Sequence, residues 1–87
     1  MTTLREIRKF VERIAKEFRP QKIILFGSYA YGQPRDSSDV DLLVVMRHRG
    51  PPAYKSVEIE LKIRPPFALD LLVRSPAKIR ERLRLGD

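Results

Sequence analysis

Three short apolar runs constrain this chain more than any other feature: "KIILF" at 22–26, "VDLLVVM" at 40–46 and "FALDLLV" at 67–73. They are rich in Ile, Val and Leu, and each is too short to be a core helix. The first two read as strands buried on both faces, and the third is a further strand. Gly27 closes the first run, and a loop "RHRGPP" follows the second.

Helical patterns fill the intervals. Leu4, Ile7, Val11, Ile14 and Phe18 fall at spacings of three and four, which places them on one stripe and predicts a core-packing helix over 4–18. Thr3 with Glu6 fits a capping box, and Pro20 prevents continuation past Arg19. Segment 53–63 is ambiguous, because Val57, Ile59, Leu61 and Ile63 alternate like a strand while Tyr54, Val57 and Leu61 fit a helix. Pro51 and Pro52 suit a helix start, and a helix would carry the chain across between strands, so helix is preferred. Ser75 as N-cap, Pro76 at the first helical position and Gly86 as a stop predict a last helix.

The class is therefore α/β in the α+β sense: a small mixed sheet of about three strands flanked by helices, in a single domain over 1–87. A domain this small leaves no room for a separate substrate-binding unit, so an acceptor is expected to come from another molecule. Hydrophobic residues make up 43% and charged residues 33%, too apolar a mixture for a disordered chain. With no cysteine and a single histidine, His48, any metal is expected on oxygen ligands. His48 itself reads as a solvated loop residue. No apolar run approaches the roughly 18 residues of a membrane span and the first ten residues lack a signal-peptide core, so the expected compartment is the cytoplasm. The net charge of +7 favours an anionic partner, a nucleotide, a nucleic acid or an acidic surface, without choosing among them. Aromatics interleaved with basic residues are not evident in the sequence, so nucleic acid is not the favoured partner.

The chemistry gathers in "GSYAYGQPRDSSDVD", Gly27 to Asp41. Asp39 and Asp41, separated by Val40, emerge on one face at the start of the second strand. Two like charges so close repel unless a cation sits between them or one is protonated. Mg²⁺, which takes one or two carboxylates with phosphate oxygens and water, suits the pair. Gly27 and Ser28 follow the first strand directly, where a glycine lets phosphate approach the backbone and a hydroxyl adds a donor. No Gly-Lys-Ser/Thr sequence occurs, so this is not a P-loop. Asp70 stands inside an apolar strand, where an unpaired charge is expensive. It either pairs with an arginine such as Arg64 or Arg74, or joins Asp39 and Asp41 as a third carboxylate around two cations. Each element alone fits an ordinary turn or loop end; their combination points to phosphoryl or nucleotidyl transfer.

Gly27-Ser28, then Asp39-x-Asp41, then Asp70 in a later strand resembles the signature of the DNA polymerase beta-type nucleotidyltransferase superfamily, and the chain's size resembles its minimal nucleotidyltransferase domains. The resemblance runs over roughly residues 4–80. It implies that Gly27 and Ser28 hold the β- and γ-phosphates of a nucleoside triphosphate, such as ATP, and that Asp39 and Asp41 bind two Mg²⁺ ions. Asp70 would ligate the catalytic metal and help deprotonate the attacking hydroxyl. Members frequently show a basic residue where Tyr31 stands, so Arg35 is the loop's alternative phosphate contact. Minimal members often act as antitoxins of small helical HEPN-type ribonuclease toxins, in the best understood pairs by moving AMP from ATP to a toxin tyrosine. The alternatives are an antitoxin that neutralises its partner by complex formation alone, and transfer to a small molecule. A homodimer that completes the pocket in trans would serve the latter. Template-directed polymerisation is disfavoured.

Overall fold

A computed structural model describes residues 1–86. The first helix, α1, spans Leu4–Phe18 and opens on the expected capping box. The Thr3 hydroxyl accepts from the Glu6 N–H at 3.2 Å, and the Glu6 carboxylate accepts from the Thr3 N–H at 3.1 Å. At the other end Arg19 turns left-handed, with φ 49°, and its N–H donates to the Ala15 carbonyl just before Pro20. The buried face of α1 is Ile7, Phe10 and Ile14, while Leu4 is 62% exposed. Phe10, outside the stripe of spacing three and four, thus stands at the centre of the buried face, while Leu4, the first member of that stripe, lies off it.

Three strands follow this helix at intervals: β1 Lys22–Phe26, β2 Val40–Val45 and β3 Leu69–Arg74. Between β2 and β3 runs α2, Pro52–Lys62, which resolves segment 53–63 as a helix begun by proline. After β3 comes α3, Pro76–Arg84, where the Ser75 hydroxyl accepts from the Lys78 N–H at 3.1 Å. The sheet order is β1-β2-β3, antiparallel between the first two and parallel between the last two. A parallel pair needs a crossover, and α2 supplies it.

Register sorts the side chains by face. Ile23 and Leu25 of β1 align with Val44 and Leu42 of β2, which align with Val73 and Leu71 of β3. These residues form the core with Ile7, Phe10 and Ile14 of α1, Ile59 of α2 and Ile63 beyond it. Phe10 also meets Phe67 edge to face at 5.4 Å, and Lys62 of α2 reaches Glu17 of α1 at 3.3 Å. The other sheet face carries Phe26, Asp41 and Asp70 in one row and Ile24, Leu43 and Leu72 in the next.

Burial of β1 on both faces, expected from its composition, is not found. Lys22 is exposed and Ile24 is 39% exposed. The helices of the core cover one face only, and β1 lies at an edge. No helix among the described residues is long and apolar enough to cross a membrane.

Candidate functional site

The carboxylates meet because of strand pairing. Asp41 and Asp70 are register partners on parallel neighbours, so their side chains leave the same face one strand spacing apart, about 4.8 Å. The ladder is anchored there by the Val40 N–H, which donates to the Ala68 carbonyl at 2.9 Å. Asp39 precedes β2 by one residue and is exposed. Burial pushes the Asp41 carboxyl above its ordinary value, and the neighbouring charges of Asp70 and Asp39 and a side-chain hydrogen bond with Asp70 push it the same way. The expected arginine partner of Asp70 is absent among the described residues: no ion pair joins it to Arg64 or Arg74, and the Arg74 guanidinium donates to the Val73 carbonyl at 2.7 Å. Nor is Asp70 a buried charge in an apolar strand, since it stands on the uncovered face and is exposed.

The Gly-Ser turn lies against this pair. Gly27 has φ 76°, and a side chain built on it would overlap the Asp41 carboxylate, so only glycine lets the backbone sit there. The N–H groups of Ala30 and Tyr31 donate to the Gly27 carbonyl at 3.0 and 3.2 Å, which forms one helical turn. The N–H groups of Ser28 and Tyr29, at the head of that turn, are not used within it and are suited to an anion. Tyr29 drops into the core and fastens the turn to the sheet, whereas Tyr31 is 81% exposed. Sequence reasoning missed Tyr29, and it missed Phe26, which stands opposite Asp41; only the antiparallel register would have revealed the second.

Arg35 is set apart. Its backbone is fastened by Ser38, whose hydroxyl accepts from the Arg35 N–H at 2.8 Å and whose own N–H donates to the Arg35 carbonyl at 2.9 Å. The residue is exposed, and no hydrogen bond or ion pair brings its guanidinium to the carboxylates. The structure thus brings together Gly27, Ser28, Asp41 and Asp70, with Asp39 adjoining, and among the described residues the Arg35 guanidinium makes no ion pair with these carboxylates. His48 is half-buried in its loop and donates from Nδ1 to the Gly50 carbonyl at 3.1 Å, at the opposite end of β2.

An all-oxygen donor set beside a glycine that leaves backbone N–H groups open suits a hard cation shared with phosphate. Among the described residues no three such side chains already converge as a closed metal cage. The carboxylate oxygens of Asp39, Asp41 and Asp70 are of the donor type that fits Mg²⁺.

A small mixed sheet with paired carboxylates facing a Gly-Ser turn defines a nucleotidyltransferase-type site. The family model of the nucleotidyltransferase domain matches residues 4–85, and the chain belongs to that family, as a minimal nucleotidyltransferase. It is similar to a Methanocaldococcus jannaschii protein named "Putative protein adenylyltransferase MJ1215", with 34% identity over 64 residues, 69% of this chain and 73% of that protein. Two proteins of the same organism carry the same description. MJ0141 is 33% identical over 72 residues, 80% of this chain and 70% of its own length, and MJ0604 is 43% identical over 47 residues, 52% and 47%. No solved structure gives a significant match.

Proposed function

We propose that this nucleotidyltransferase moves AMP from ATP to a hydroxyl of a protein partner, and that it acts in this way as the antitoxin of a HEPN-type toxin. The observation that carries the reading is the register pairing of Asp41 with Asp70 beside the Gly27 turn. The names of the relatives support protein adenylylation. Gly27 and Ser28 hold the β- and γ-phosphates, with Arg35 as a further contact from the loop. Asp39, Asp41 and Asp70 would hold two Mg²⁺ ions, which would supply positive charge to offset that of the triphosphate and of the leaving pyrophosphate. Asp70, exposed at the row's edge, takes the proton of the acceptor hydroxyl. The hydroxyl oxygen bonds to the α-phosphorus as the bond to the bridging oxygen breaks, and pyrophosphate leaves.

Intact mass of the partner after incubation with the chain, ATP and Mg²⁺ tests this. Addition of whole AMP units, abolished by Asp41→Asn, is the expected result. A stable complex of unchanged mass, formed equally by wild type and by an Asp39→Ala, Asp41→Ala variant, establishes neutralisation by binding instead. Tyr31, 81% exposed at the position where the family resemblance implies a basic phosphate contact, is the observation that favours this second reading.

A further inference from the structure

Because β2 and β3 run parallel, their C-terminal ends lie together, about 13 Å along the sheet from the carboxylates. Both α2 and α3 begin at that end, with no acidic residue in either first turn. A groove of about 530 Å³ opens there, lined by Arg47, His48, Arg49, Tyr54, Lys55 and Glu58. A second cavity of about 230 Å³ shares His48 with it and adds Arg74 and Lys78. The cations are not equivalent. Lys55 is answered by Glu58 at 2.9 Å and lies over the Phe18 ring, and Lys78 is answered by Glu81 at 3.6 Å. Arg47 and Arg49 have no carboxylate partner among the described residues. Between these cations stands Tyr54, 71% exposed, its ring flanked by Gly50, where a Cβ would come to 3.8 Å of Cδ2.

We propose that this end is a second binding site, separate from the carboxylate row, that takes single-stranded nucleic acid. Arg47 and Arg49 neutralise successive phosphates, and Tyr54 offers its face to a base. An acidic peptide would satisfy the arginines but leaves the exposed ring beside them without a role, whereas cationic grooves with an aromatic platform suit unpaired nucleotides. A duplex offers no free base face. The sequence conceals the cluster because Tyr54 is separated from Arg47 and Arg49 by a turn at Gly50 and two prolines, and only the folded loop brings ring and guanidinium groups to one groove.

Fluorescence anisotropy of labelled oligonucleotides of about 12 nucleotides, in EDTA and without ATP, tests the proposal independently of any transfer reaction. Wild type is expected to bind single strands with an affinity that falls between about 50 and 200 mM salt. Arg47→Gln with Arg49→Gln should weaken binding at least about tenfold and reduce the slope of log affinity against log salt by about 1.4. Tyr54→Ala should weaken single-strand binding about fivefold or more, with Tyr54→Phe near wild type. RNA and DNA arms of one sequence identify the preferred sugar, and circular dichroism verifies that these exposed replacements fold. Absent binding, equal binding by the double arginine variant, an unchanged Tyr54→Ala, or displacement by polyglutamate at lower concentration than by RNA would each overturn it.

Discussion

The two ends of the β2–β3 pair are opposites. At the end where the strands begin, Asp41 and Asp70 stand on backbone held by ladder hydrogen bonds, with Gly27 closed against one of them. Where the strands finish, Arg47, Arg49 and Tyr54 stand on a loop and a helix start. Like charges held on rigid strands repel wherever they are placed, so the first end trades stability for position. Exposed cations on a loop spread apart into water, so the second costs the fold little. The carboxylate end should therefore respond sharply to small chemical changes, and the basic end mildly.

The largest contrast comes from Asp41→Asn, which should reduce transfer at least about 10³-fold, roughly 4 kcal/mol, while leaving oligonucleotide affinity unchanged. Rate and anisotropy measured on the same preparation check this. The comparison breaks if the ends fail together, and Leu42→Ala is expected to make them do so. That residue is fully buried beneath both, and its truncation should lower unfolding free energy by about 3 kcal/mol in urea titrations.

Gly27→Ala acts on one end alone. The positive φ and the overlap with the Asp41 carboxylate should lower stability by about 2 kcal/mol, with a further drop in transfer among the molecules still folded. Ser75→Ala removes the cap of α3 at the basic end and should cost about 1 kcal/mol without touching the transfer rate.

The smallest effect is on pH dependence. The folded-state pKa of Asp41 is raised, so its contribution to stability is fully present below the ordinary carboxylate range and is lost as pH rises through the raised value. Without nucleotide or metal, Asp41→Asn should match wild type in acid and exceed its Tm near neutrality. A calorimetric series across that interval checks it.

Local signals in the sequence located the elements well. The bounds of α1 and β1 were legible because Thr3, Glu6, Pro20 and Gly27 punctuate the chain by mechanisms that act within a few residues. Two prolines settled α2 against a competing alternation for the same reason. Faces were harder to read. Phe10 lies off the 3,4,3,4 spacing yet is central to the core, and β1 is apolar on both faces although only one is covered by helices. Composition reports what a strand tolerates, and tertiary packing decides what covers it. At the site, spacing along the chain carried Asp39 and Asp41, but whether Asp70 joined them depended on strand order, which no local pattern encodes. The exposure of Asp70 was likewise invisible until the register was known.

The sheet ends in two bare edges, and the one formed by β1 carries a consequence for handling the protein. Lys22–Phe26 is a strand with four apolar residues, 23–26, whose outer margin among the described residues pairs with no other strand, guarded at its start by Pro20 and Lys22. Such a ribbon invites a second ribbon in concentrated solution, and the charge on Lys22 is the nearest thing this fold has to a gatekeeper against fibrils.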